Sequence, residues 1–208
     1  SIDTGAGLER VSAVVQGQRS NYGTDLFQPL LQRVAAAAGK TYVDEYGSSA
    51  SAEDATSMRV LADHGRAATF LIADGVHPSN LGRGYVLRRI MRRAIRHAVR
   101  LNLPAGFYAG LCGAVIDQMS EAFPELNQAR ALIEKFVQVE DEDFRKTIGR
   151  GLKMIGDYKD WGSRDGQRQL PGEAAFVPAV DVAGRHAAES SSAGMRPANT
   201  SPREQVGT

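Results

Sequence analysis

The chain has 208 residues, 42% of them hydrophobic, and a formal net charge of +1 from 25 Lys+Arg and 24 Asp+Glu, enough apolar material for a core of ordinary size in one or two domains. Its single cysteine, Cys112, excludes an intramolecular disulfide framework, and no window approaches the roughly 18 to 20 apolar residues of a bilayer span. With no apolar run at its start, the sequence points to a reducing compartment, the cytoplasm or equally a mitochondrial or plastid matrix.

The opening SIDTGAGLER reads as the end of a strand entering a glycine turn, as though cut from something longer. A helix follows, with Leu8, Val11, Val14 and Val15 at helical spacing. A second is expected from Thr24 as N-cap through Leu26, Phe27, Leu30, Leu31 and Val34 to Gly39, then a Gly/Ser/Tyr-rich loop over 40–53. A third covers 54–73 and buries Met58, Leu61, Ala62, Ala68, Phe70, Leu71 and Ile72, increasingly toward its end. Gly65 in its middle costs about 1 kcal/mol relative to alanine and implies a local packing reason. The segment DGVHPSN makes a turn, a basic helix runs over 84–101 until Pro104 stops it, an apolar helix spans 105–120, and a long amphipathic one reaches from Glu125 to Lys159. Residues 177–208 contain no Leu, Ile or aromatic residue, so they cannot offset their ordering entropy and are expected to be disordered. The fold class is mainly α: a helical bundle after a short strand-turn-helix remnant.

The stretch NLGRGYVLRRIMRRAIRHAVRL, residues 80–101, holds seven arginines and no acid. Leu87, Ile90, Met91, Ala94, Ile95 and Ala98 form a core stripe. Arg88, Arg92, Arg96 and Arg100 recur every four residues beside it, with Arg89 and Arg93 flanking them on the polar face. Like charges four residues apart repel by roughly 0.2 to 0.5 kcal/mol per pair, so anions must meet them. A solvated or internally paired face is the plain alternative, with Asp63 or Asp74 as examples of internal partners. Arginine rather than lysine throughout favours the forked recognition of phosphate, hence nucleic acid. RNA fits best, because its shallow minor groove can be read by short polar side chains such as His77, Ser79 and Asn80 on the preceding turn. DNA is not expected as a partner, nor is a membrane.

Other features read more plainly. His64, His77, His97 and His186 have no metal-ligand spacing with Cys112, so no metal site is expected, and Cys112 belongs to a core helix. Asp63 and His64 should not face each other, since neighbours on a helix point about 100° apart. The run Glu140-Asp141-Glu142-Asp143 reads as a solvated face that would also fend off RNA from the wrong side.

By itself GAGLER, residues 5–10, is an ordinary glycine turn opening a helix, with Arg10 one turn in. Together, Asp3-Thr4-Gly5-Ala6-Gly7-Leu8-Glu9-Arg10, Ser20-Asn21-Tyr22, Thr24-Asp25-Leu26-Phe27, Met58-Arg59-Val60-Leu61-Ala62-Asp63-His64, Phe70-Leu71-Ile72-Ala73-Asp74-Gly75 and Pro78-Ser79-Asn80 followed by Gly82-Arg83-Gly84-Tyr85-Val86-Leu87-Arg88-Arg89-Ile90 resemble class II aminoacyl-tRNA synthetases of the alanyl type over residues 1–176. The first segment resembles their third signature motif.

That resemblance implies an ATP-dependent ligase that, with Mg in the complete enzyme, activates alanine and transfers it to the 3′ end of tRNA-Ala. It implies that 1–20 close the catalytic domain, 21–176 form a helical acceptor-stem recognition domain, and 177–208 are a tail of other origin. Arg10 would hold the ATP triphosphate, Asp3 the alanine ammonium group, and Gly5 and Gly7 the pocket floor. Asn80 would read the G·U wobble pair of the acceptor stem, while Arg83, Arg88, Arg89, Arg92 and Arg93 hold the adjoining backbone. The chain departs from the family at Gly23, usually an acid, at Gly65, usually apolar, and at Leu81, often polar. It also departs after Phe176, where Val177-Pro178-Ala179-Val180 replaces a segment carrying a second, aspartate reader. The first two class II motifs are absent, so this chain alone is expected not to activate alanine. A non-catalytic RNA-binding helical module is the alternative.

Overall fold

The structure, a computed structural model, describes residues 5–44, 47 and 49–162, the side chains of 158–162 excepted. The strand expected at the start of the chain and the tail over 177–208 lie outside the described residues. Those described fold into α1 (Leu8–Val15), a 3-10 turn (Asn21–Gly23), α2 (Gln28–Ala37), α3 (Ala50–Ala73), α4 (Gly82–Arg100), α5 (Phe107–Met119) and α6 (Glu125–Gly162), with no strand among them.

Local chemistry moves two of the expected boundaries. Thr24 does not cap α2: its buried hydroxyl donates to Asn21 O at 2.6 Å, closing the 3-10 turn, and α2 starts only after Phe27, with Pro29 in its first turn. α3 opens at Ala50, earlier than expected, because Ser49 Oγ accepts from Ala52 N at 3.2 Å. At the end of α4, Asn102 takes a left-handed φ of 57° and Leu103 N donates back to Ala98 O at 2.9 Å. The helix is therefore terminated before Pro104 is reached.

α3 is the hub, packing against α2, α4 and α5. Met58, Leu61, Ala62, Ala68 and Ile72 are buried, while Phe70 and Leu71 are only half-buried, so the core lies along the whole helix rather than toward its end. Gly65 is buried against α5, where a methyl group would meet Leu111 Cδ2 at 3.5 Å, an ordinary contact, so there is room for alanine and the close packing limits only larger side chains. Around that contact Tyr108 Oη donates to His64 O at 2.9 Å and Thr69 Oγ1 donates to Gly65 O at 2.8 Å. Cys112 is buried against Gly65, and burial pushes its thiol up to about 12, in keeping with a core residue. Arg59 is buried too, its Nε donating to Tyr42 Oη at 3.0 Å and its Nη2 pairing with Asp44 at 2.8 Å. In α1 the expected apolar residues are exposed, Val14 by 81%, and only Ala13 is buried.

Only half of the acidic run on α6 is a solvated face: Glu142 and Asp143 are exposed, while Glu140 and Asp141 are buried. Glu140 is 5% and Asp141 0% exposed. Asp141 Oδ2 accepts from Gly106 N at 2.7 Å and its Oδ1 from Arg145 Nε at 2.7 Å, and the Arg145 guanidinium reaches on to Leu103 O and Pro104 O, both at 3.1 Å. This clasp fastens the corner between α4 and α5 onto α6. Asp141→Ala leaves a half-buried guanidinium and a backbone N–H without their anion, so a loss of about 3 kcal/mol is expected in chemical denaturation, near the lower end for broken buried pairs because Arg145 keeps its two carbonyls.

Candidate nucleic-acid interface

α3 ends in a left-handed Gly75 (φ 80°), whose turn returns Val76 N to Leu71 O at 2.9 Å and starts the chain toward α4. In the segment that follows, Ser79 Oγ donates to Leu81 O at 2.9 Å, and the His77 ring lies 4.9 Å from that of Phe136 on α6. Gly84, buried in the first turn of α4, lets this segment lie flat against the helix. A Cβ there would sit 2.3 Å from both His77 O and Ser79 Oγ, which no side chain could tolerate without displacing backbone. Asn80 is thereby held, exposed, at the mouth of α4.

α4 buries Leu87, Met91, Ala94, Ile95 and Ala98 of the expected stripe, while Ile90 at its edge is only half-buried. Its arginines divide into groups. Arg88 and Arg92 are half-buried and share one carboxylate: Arg88 Nε donates to Glu140 Oε2 at 3.1 Å and Arg92 Nε to Glu140 Oε1 at 2.6 Å. Arg88 Nη1 also donates to Asn80 Oδ1, and the Arg92 guanidinium lies 5.1 Å from the centre of the Phe144 ring. Arg100 pairs with Glu53 of α3 at an exposed site. Arg83, Arg89, Arg93 and Arg96 are exposed and meet no carboxylate among the described residues. Spaced i, i+4, i+7, the last three share the pole opposite the core, where Arg89 also lies 5.8 Å from the Tyr85 ring. Exposed Tyr85, Val86 and Leu81 continue this surface.

Neither internal partner offered as an example is the one used. Asp63 bonds its neighbour, with His64 Nδ1 at 2.9 Å from Asp63 Oδ2, so these two side chains do face each other: both are long enough to bend across the angle between them. Asp74 is exposed and pairs with nothing among the described residues. The residues sequence reasoning missed are Gly84 and the ridge Phe136, Glu140 and Phe144 on α6. The i, i+4, i+8 spacing of that ridge was the one signal available.

The glycine turn lies on a different element. Gly7 has a φ of 79° with Arg10 Cδ 3.6 Å from its would-be Cβ, and a Cβ on Gly5 would meet nothing within 4 Å. Arg10 is exposed without a partner among the described residues, while Glu9 pairs with Arg66 of α3 at 2.9 Å. Asp3 lies outside the described residues. No group of three or more His, Cys, Asp or Glu among the described residues could hold a metal ion, and no described helix is long and apolar enough to cross a membrane.

Residues 1–178 match the family model for tRNA synthetases class II (A). The chain is 51% identical over 185 residues to the alanine–tRNA ligase of Anaeromyxobacter dehalogenans, covering 87% of this chain and 20% of that one. It is 50% identical over 178 residues to the enzyme of the same name from Myxococcus xanthus, covering 85% and 19%. With Dinoroseobacter shibae alanine–tRNA ligase it shares 49% over 180 residues, covering 85% and 19%. The chain thus spans about a fifth of the length of the curated relatives it matches.

The crowding of cations leaves a mark on His97, whose Nδ1 lies 3.0 Å from Ser57 Oγ. Burial first, then Arg93, Arg96 and Arg100 and, from α3, His64, lower its pKa from 6.5 to about 4. Between those two values the unfolded chain binds a proton that the folded chain refuses. This contribution to stability is present above pH 6.5 and is lost as pH falls toward 4. Denaturation curves across that window are expected to show a shallower loss in His97→Gln than in the parent chain.

Proposed function

The chain belongs to the tRNA synthetases of class II (A), and from that premise we propose that it is the part of an alanine–tRNA ligase that receives the acceptor stem of tRNA-Ala on α4 and the turn before it. The observation that carries this reading is the row of Arg89, Arg93 and Arg96, with Arg83 at the helix start, exposed and without a carboxylate among the described residues. Arg89, Arg93 and Arg96, uncompensated on one side of the helix, repel one another, and a phosphate backbone relieves that repulsion. In this reading Arg83, Arg89 and Arg93 take phosphates with their whole fork, Arg96 joins them, and Arg88 and Arg92 offer only the N–H groups that Glu140 and Asn80 leave over. Asn80 reads the third base pair from the shallow minor groove, where a 2′-hydroxyl also distinguishes RNA from DNA.

The catalytic roles belong to the complete enzyme, which joins alanine to the 3′ end of tRNA-Ala using ATP and Mg. There residues 1–20 close the catalytic domain and 21–176 form the recognition domain. Exposed Arg10 suits a triphosphate, and the open space over Gly5 suits close approach of a ligand, with Asp3 toward the alanine ammonium group. We place this work in the cytoplasm or an organelle matrix. A non-catalytic RNA-binding module would use the same surface and differs only in showing no alanine-dependent ATP–pyrophosphate exchange once joined to its catalytic half.

Binding of an acceptor-stem hairpin, followed by fluorescence anisotropy over a series of salt concentrations, tests the interface. Affinity should fall steeply with salt, and Arg89→Ala or Arg93→Ala should each weaken G·U and G·C hairpins alike while reducing the log–log slope by about one. Little binding at any salt would sink the reading. Asn80→Ala, in contrast, should keep the slope and abolish the preference for the G·U hairpin, a preference of roughly tenfold for one well-made base contact.

A further inference from the structure

We propose that Glu140 is a positioning residue which, through Arg88, fixes the side-chain amide of Asn80 as a hydrogen-bond donor toward RNA. This rests on the reading of Asn80 given above and adds a mechanism to it. Glu140 is almost fully buried, yet both its oxygens are engaged, Oε2 by Arg88 Nε at 3.1 Å and Oε1 by Arg92 Nε at 2.6 Å. Both guanidiniums therefore present their Nε edge inward and their Nη groups outward. Arg88 spends one of these on Asn80 Oδ1.

An arginine has only donors, so the Asn80 atom facing Arg88 must be the carbonyl oxygen, whichever way an amide might otherwise be placed. The Asn80 NH2 group is left outward with no partner among the described residues. It can then donate to acceptors in a shallow minor groove, a pyrimidine O2, a purine N3 or a ribose 2′-oxygen, and it cannot accept from a guanine amino group. The neighbouring supports agree with this role. Phe136 carries the His77 ring at 4.9 Å and Phe144 lies 5.1 Å from the Arg92 guanidinium, so Phe136, Glu140 and Phe144 form one ridge of α6 under the turn and the helix that flank Asn80. A lysine at 88 could bond Glu140 or Asn80 but could not hold both in one plane.

The test compares the full chain with Glu140→Gln, whose amide can accept from one guanidinium and turns donors at the other. In the free protein, NMR should find the Asn80 side-chain amide and Arg88 Nε–H signals shifted and broadened in Glu140→Gln, with backbone signals of α2 and α5 unchanged. With hairpins, the roughly tenfold G·U preference should fall to within about twofold of none at an unchanged salt slope, and Glu140→Asp should restore part of it. A folded Glu140→Gln that keeps both the Asn80 signal and the parent preference overturns the proposal. If Glu140→Gln does not fold, Arg88→Lys, which keeps the charge and the Glu140–Arg92 bond, should lose the preference, and its retention is equally fatal. If the parent chain binds both hairpins equally, the reading of Asn80 fails. The NMR comparison then still decides whether Glu140 orients the amide.

Discussion

Seven guanidinium groups on one 19-residue helix cost it stability where no anion meets them, and the arrangement around α4 follows from how few the chain supplies. Glu140 serves two of the cations and Glu53 a third. Burying Glu140 would be costly for a lone carboxylate. Here two charge-assisted bonds satisfy it, and the two arginines keep part of their surface in water. Of the remaining four cations, Arg83 is exposed at the helix start and Arg89, Arg93 and Arg96 lie on the side turned from the core, where solvent screens them and a polyanion can displace that solvent. Internal pairing and outward display are thus two halves of one charge balance, and α6 sets the division.

α6 can do this because adjacent acids on a helix point to different neighbours. Glu140 reaches the middle of α4, and Asp141, one residue on, reaches the corner where α4 gives way to α5. One turn of α6 therefore fixes α4 laterally and at its end. Upstream, Phe136 meets His77, so the segment before α4 is supported by the same helix. The turn carrying Asn80 is held from two sides: α6 beneath, and the flat surface of Gly84 on α4, which admits the His77 carbonyl and the Ser79 hydroxyl where any side chain would exclude them.

Much of this was legible in the sequence, and what was not has a common cause. The helices, the buried stripe of α4, the termination of α2 at Gly39 and the core placement of Cys112 are properties of a few consecutive residues, for which spacing and composition suffice. The family was legible from motifs in order. The fate of Glu140 was not, because its partners lie 52 and 48 residues away, and an acidic tetrad on an amphipathic helix looks the same whether it faces water or a neighbouring arginine. Asp63 and Asp74 were plausible partners for the opposite reason: they are near in sequence, but Asp63 bonds its neighbour His64 and Asp74 pairs with nothing among the described residues. Thr24 looked like a cap and instead closes the turn before the helix, where a buried hydroxyl finds its acceptor sooner.

The exclusive use of arginine in α4 gains a second explanation from this geometry. Under the proposed function, phosphate recognition by the fork would account for the outward cations, yet Arg88 also needs a side chain that bonds inward and outward at once. Arg88 gives its Nε to a buried carboxylate and an Nη to Asn80. The same division recurs away from α4: Arg145 gives Nε to Asp141 and its Nη groups to two carbonyls, and Arg59 gives Nε to Tyr42 and Nη2 to Asp44. A lysine ammonium can donate to more than one acceptor, but its donors radiate from a single atom and cannot hold two partners in one fixed plane. Arginine in this fold is therefore a joint as well as a charge.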